Sequence, residues 1–406
     1  MNKKMILTAL VSWILSLSAG AASTVTITVE NNEDVQRQEL VEVDFKPIAE
    51  KLGLGENDGF VVRNAFGQQV DCQLTYDNHL LIDVAVRPHG TAKYTVAKGV
   101  PTQMKHWVFG KMYPTRKDDI AWENDRGAYR VYGPALQRTG ERSFGVDVWT
   151  KNTPEIVVED RYTADYDGNI LKNIYSKRKQ GDKWREEDLR TSFHLDHGNG
   201  LDCYSVGPTL GCGTPALLDG KKLIMPYCYK DYDILDNGPL RFTVALTYHP
   251  SVVKADSNVV EHRIISLDKG SNFNKVVVWY DGLSKPCDFA TGVVIHSADK
   301  DAYELGSDYV QYADPTDTPD KHNFQIYVAT LFPEGAETRF LPLEKPQGGI
   351  EGHALGVIKK INDGQRILYY FGSAWSKADI RTQREWKVRI EDFMEALHNP
   401  LKVSVE

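Results

Sequence analysis

Hydrophobic and polar residues recur with period two from Ser23 to about Gly99. The runs are Thr24-Val25-Thr26-Ile27-Thr28-Val29, Leu40-Val41-Glu42-Val43-Asp44-Phe45, Phe60-Val61-Val62, Gln73-Leu74-Thr75-Tyr76, Leu80-Leu81-Ile82-Asp83-Val84 and Lys93-Tyr94-Thr95-Val96. Side chains point alternately to two faces only in an extended chain, so this pattern demands strands with one face buried and one wet. Asn31-Asn32, Asn57-Asp58-Gly59 and Pro88-His89-Gly90 interrupt the runs with turn chemistry, which makes the strands antiparallel neighbours. Only Ile48 to Leu54 resembles a helical turn. Residues 22–100 therefore read as a small N-terminal β-sandwich.

Beyond Pro101 an aromatic-rich segment leads into longer strand-like runs. They include Leu240 to Tyr248, Lys275 to Tyr280, Phe324 to Ala329 and Arg366 to Phe371. So many strands without helical repeats between them point to large antiparallel sheets rather than βαβ units. The fold class is all-β: a large antiparallel sandwich over 101–406, after the small one, with few helices. One amphipathic helix is expected over Glu385 to Leu397, where Trp386, Ile390, Phe393, Met394 and Leu397 share a face.

Met1 to Lys4, the apolar run to Ser18 and Ala19-Gly20-Ala21 form a secretory leader over 1–21, so an exported, periplasmic or secreted, protein is expected. No later stretch approaches the ~18 apolar residues of a spanning helix. The charge is 48 − 56 = −8, or 46 − 56 = −10 once Lys3 and Lys4 leave with the leader. That balance excludes broad capture of nucleic acid, which needs clustered cations. The five cysteines contain no C-x-x-C and read as small buried residues in preference to a disulfide such as Cys203 with Cys212.

Three constellations carry chemistry. In Trp122 to Pro134, a strand would place Arg130 and Tyr132 on one face, preceded by Glu123, Asn124 and Arg126. A guanidinium fork matches a carboxylate or sulfate, although an internal ion pair is an equal reading. In Thr191 to Tyr204, His194 and His197 precede the turn Gly198-Asn199-Gly200 and can converge with Asp202 or Tyr204. Imidazoles suit proton transfer near neutrality. Two His and an Asp also make a zinc shell, so no cofactor is called for while a divalent metal stays open. In the third, His353 precedes a hydrophobic strand, and Trp375 with Lys377 suggests a sugar plate beside an ammonium.

Two loops invite other readings. Val206 to Pro215 is glycine-rich but lacks a Walker Lys-Ser/Thr, so it reads as the floor of a cleft beside the histidines. Asp165-Tyr166-Asp167-Gly168-Asn169 reads as a hairpin turn rather than a calcium loop.

The segments Trp122 to Arg126, Tyr132 to Leu136, His197 to Asp202 and Val206 to Gly211 resemble a domain-of-unknown-function family from polysaccharide-utilisation loci of marine and gut bacteria. That resemblance covers about residues 24–400. It implies a galactose-mutarotase-like supersandwich and kinship with an oligosaccharide dehydratase of ulvan breakdown. The expected partner is an anionic oligosaccharide. Water elimination from a terminal uronate would take His194 or His197 as base, Tyr132 or Tyr204 as acid, and Arg130 with Arg126 or Asn124 as carboxylate clamp. A mutarotase or epimerase pairing His353 with Glu123 or Asp202, and a non-catalytic glycan binder, stand as alternatives, because one scaffold hosts all three.

Overall fold

The computed structural model describes residues 23–165, 191–297, 299–315, 323–347 and 349–406. The expected leader and the turn at Asp167-Gly168-Asn169 lie outside them. Strands make up 49% of the described residues and helices 13%, and the strand ladders among them are antiparallel, so the protein is an all-β sandwich.

Alternation in the first hundred residues becomes two packed sheets. One holds Lys402–Val405, Thr24–Glu30, Thr91–Lys98 and Phe60–Asn64 in that order; the other holds Arg37–Asp44, His79–Val86 and Cys72–Leu74. Val25, Ile27, Val29, Leu80, Ile82, Val84 and Val96 point between them and are fully buried. The short helix Phe45–Leu52 closes one end, starting at Asp44, whose side chain accepts from Lys46 N–H. It stops at Gly53, whose φ of 62° belongs to the left-handed region that glycine enters without a Cβ clash. The fourth strand comes from the far end of the sequence, with Ile27 opposite Val405.

The remainder is built on a nine-stranded and a five-stranded sheet. Their facing sides supply a core that includes Phe242, Val276, Phe289, Val293, Val328, Tyr369 and Phe371. A four-stranded sheet, Phe109–Tyr113, Asp119–Glu123, Gly127–Val131 and Asp147–Thr150, lies across one side of this core. The C-terminal helix runs Gln383–His398, beginning two residues before the expected start because Thr382 and Glu385 form a reciprocal capping box. Trp386, Ile390 and Met394 bury as its spacing requires, with Trp386 stacked on Phe273 at 5.1 Å.

Candidate functional site

The strand Gly127–Val131 carries Arg130 inward, and Asp147 stands opposite it in the neighbouring strand. The Arg130 guanidinium is almost wholly buried. It pairs with Asp147, lies 3.0 Å from Asp202 Oδ2 and 3.7 Å from Asp119 Oδ2, and sits over the rings of Tyr132 and Trp149. Three carboxyl groups around one cation cannot all ionise cheaply out of water. Burial pushes Asp119 up to about 6, and burial with the charge of Asp202 pushes Asp147 up to about 7, against the pull of Arg130. The cluster therefore retains proton-donating capacity near neutral pH. Arg130 Nε and Nη1 have no hydrogen-bond partner among the described residues.

A second cluster grows from the two central sheets. His296 follows the strand Cys287–Ile295, and its Nδ1 lies 2.7 Å from Asp314 Oδ2 at the end of Tyr309–Asp314. A carboxylate on Nδ1 favours the tautomer that leaves Nε2 as an acceptor. That Nε2 is buried and has no partner among the described residues. On the adjacent strand, His353 Nε2 accepts from Leu210 N–H at 3.3 Å, which assigns the ring proton to Nδ1, also without a partner there. Burial and the nearby His296 lower His353 to about 4, so it is a neutral donor at pH 7.

Tyr204 links the clusters. Its ring meets that of His296 edge-on at 6.1 Å, and its buried hydroxyl has no partner among the described residues. Burial first, then Cys212, Asp314 and Tyr312 and finally Asp147, hold the phenol well above its ordinary range. The loop Asp202 to Thr214 spans the same ground: Asp202 bridges Trp149, Gly211 bridges Val146 and Cys212 bridges Val293. Gly211, at φ 56°, has the Val146 carbonyl where a Cβ would stand, so the glycine-rich stretch holds this crossing close. This loop, expected as a floor beside the histidines, touches His194 through Asp202 O and His353 through Leu210 N–H.

The residues named from sequence divide accordingly. Arg130, Asp202, Tyr132, Tyr204 and His353 are in or beside these clusters, and His194, largely exposed, reaches Asp202 O with Nδ1 at 3.0 Å. His197 does not join them; its Nε2 lies 2.8 Å from Ser192 O on the surface of its own loop. Glu123 is fully buried and spent on Lys151 and on the N–H groups of Val157 and Val158, at the start of the helix Val158–Asp165. Asn124 is buried too, its amide tied to the Asp268 and Ser271 carbonyls and its Oδ1 to the Arg126 and Gly127 N–H groups. Arg126 turns toward Asp379, 2.6 Å away, on a different face. Trp375 offers no open plate: it is buried, its indole N–H donates to Asn323 O at 2.7 Å, and Lys377 lies 5.5 Å over the ring while pairing with Asp196. These four are held by structural partners, which removes the carboxylate clamp expected of Arg126 and Asn124, the base expected of Glu123 and the plate expected of Trp375.

Sequence reading missed His296, Asp314 and Asp147. Their signal was parity: Val310, Tyr312 and Asp314 share the inward face of one strand, so a carboxylate stands where hydrocarbon is expected. Among the described residues no group of three or more His, Cys, Asp or Glu is placed to hold a metal ion, and no disulfide joins the five cysteines, four of which are buried. No described helix is long and apolar enough to cross a membrane.

The pattern of the family described as Domain of unknown function (DUF4861) matches residues 29–403. The chain belongs to that family. A relative of this DUF4861 chain, the uncharacterized protein P7 of Formosa agariphila, is 24% identical over 404 residues, covering 94% of this chain and 93% of that protein. Among solved structures, an alpha-mannosidase from Enterococcus faecalis V583 aligns at 9% identity and a TM-score of 0.42, over 95% of this chain and 46% of its own. A glycosyl hydrolase family 38 protein from Enterococcus faecalis aligns at 9% identity and 0.45, over 95% and 47%. The chain spans about half the length of those two structures. Likeness so remote decides nothing about the site.

Proposed function

We propose that this family member is an exported carbohydrate-active enzyme that eliminates water from the terminal uronate of an oligosaccharide. The observation that carries the reading is the Asp314-backed His296, whose ring meets the Tyr204 ring edge-on at 6.1 Å and whose Nε2, like the Tyr204 hydroxyl and the Nδ1 of the neutral His353, has no hydrogen-bond partner among the described residues. An imidazole base and a phenol that burial keeps protonated at neutral pH are the pair that elimination needs.

The C5 proton is acidified by the adjacent carboxylate. His296 Nε2 takes it, the electron pair becomes the C4–C5 double bond, and the C4–O bond breaks. Tyr204 gives its proton to the departing hydroxyl, which leaves as water; the imidazolium later returns a proton to the phenolate. We assign the negative charge growing on the carboxylate to Arg130, whose Nε and Nη1 have no hydrogen-bond partner among the described residues, and to the Nδ1–H of His353. Asp314 holds the imidazole tautomer and stabilises its charged form, as carboxylates do in related dyads.

The test is incubation with uronate-terminated oligosaccharides. A rise in ultraviolet absorbance from a conjugated unsaturated acid, with a mass loss of one water and no chain shortening, is expected, and His296→Gln is expected to lower kcat by about a thousandfold or more. Full turnover in His296→Gln removes the assigned base. Conversion at unchanged mass would identify an epimerase, and binding without conversion a glycan receptor.

A further inference from the structure

A cleft of about 720 Å³ opens elsewhere, between the small sandwich, the outer face of the nine-stranded sheet and the C-terminal helix. That volume is in the range of sites for drug-sized ligands, roughly 300–1,000 Å³. None of its lining residues belongs to the histidine clusters. On its floor Lys275 lies between Ser266 and Tyr370, its register partners in the two flanking strands, so three polar side chains share one patch.

Most charge around this patch is already answered. Arg241 lies 2.6 Å from both Asp268 and Glu42, Lys269 pairs with Asp83, and Arg126 and Arg389 share Asp379 at the rim. Lys275, a half-buried residue, differs: its ammonium makes no ion pair or hydrogen bond with any described residue. Tyr370 beside it is held protonated, pushed up to about 12 chiefly by burial and then by Asp268, so its hydroxyl is a donor at neutral pH. Ser266 Oγ lies 3.0 Å from Thr243 Oγ, keeping a hydroxyl pair on the same floor. Phe393 of the helix stands edge-on to the Tyr370 ring at 5.2 Å and supplies an apolar wall. Ammonium, phenol and hydroxyl on a floor with an aromatic wall suit a polyol that carries one anionic oxygen group.

We propose that this cleft is a second glycan site, holding an oligosaccharide segment with its carboxylate or sulfate against Lys275 and its hydroxyls against Ser266 and Tyr370. The proposal rests on the carbohydrate reading above and deepens it by placing a holding site apart from the reacting one.

The experiment measures acylation of Lys275 in the full chain by mass spectrometry, with and without three probes: tetragalacturonate, a sulfated galactose tetramer and a neutral galactose tetramer. Saturating acidic probe is expected to slow acylation of Lys275 about tenfold, the neutral tetramer less than about twofold, and comparison of the two acidic probes shows which anion is preferred. Lys275→Met is expected to weaken binding of the preferred probe about tenfold, the scale of one charge-assisted hydrogen bond, while turnover stays within about twofold. Unchanged acylation with all three probes, or equal protection by the neutral one, overturns the proposal. Ultraviolet product without protection of Lys275 sinks the second site alone, whereas protection by tetragalacturonate without product leaves this site standing and sinks the elimination reading.

Discussion

The small sandwich and the large one solve the same packing problem with different interiors. Between the small sheets lie Val25, Ile27, Leu80, Ile82 and Val96, a mainly hydrocarbon core to which Cys72 and Tyr94 add the thiol and phenol. The larger body encloses Arg130, Asp147, Asp202, Tyr204 and His353 at a few per cent exposure among its valines and phenylalanines. Burial of apolar groups stabilises without direction, whereas a buried ionisable group costs free energy unless its partners are in place. The first interior is an anchor. The second is a place where stability is given up for chemistry.

That contrast can be broken by exchanging what each interior depends on. Arg130→Met strands Asp147 and Asp202 without their cation and is expected to lower unfolding free energy by about 4 kcal/mol, measured by urea denaturation at pH 7. A variant as stable as the parent would show that the carboxyl groups are neutral without it.

His353 gives the next effect, through pH. Its folded pKa of about 4 lies below the ordinary 6.5, so the unfolded chain binds this proton first. Stability is therefore undiminished above pH 6.5, falls as pH drops toward 4, and levels below it. The loss attributable to this ring is about 3 kcal/mol by pH 4. Asp147, with its raised pKa, works in the opposite sense, gaining relative stability as pH falls through about 7. Comparing His353→Gln with the parent isolates the histidine: the variant's urea midpoints should fall less between pH 7 and pH 4. Parallel curves would mean the ring is protonated in the folded protein.

The smallest effect belongs to the small sandwich. Ile27→Val removes one buried methylene-sized group and is expected to cost about 1 kcal/mol, leaving kcat and its pH profile unchanged. A changed pH profile would couple the two interiors.

The same contrast explains what the sequence revealed. Alternation at Val25-Thr26-Ile27-Thr28-Val29 repeats one local rule, so its strands and core could be read directly. The helix at Glu385 to Leu397 was legible for the same reason. The site has no local rule: His353 stands on one strand of the five-stranded sheet, His296 just past the end of its neighbour and Asp314 at the end of a strand in the nine-stranded sheet, and only the packing of the two sheets brings them together. Arg130 and Asp202 drew attention as polar residues in patterned segments. Glu123 and Asn124 drew it equally, and nothing in their spacing distinguished a carboxylate that caps a helix from one that serves a substrate.

The pairing of Thr24–Glu30 with Lys402–Val405 has a consequence for the order of events during synthesis. The sheet containing the earliest described strand lacks a member until residue 405 has been made, so the small sandwich is begun first and finished last. Until then one flank of Thr24–Glu30 exposes unpaired N–H and C=O groups, a template for pairing with another nascent chain. The finished ladder acts as a clasp, drawn shut only after the long intervening sandwich has been produced.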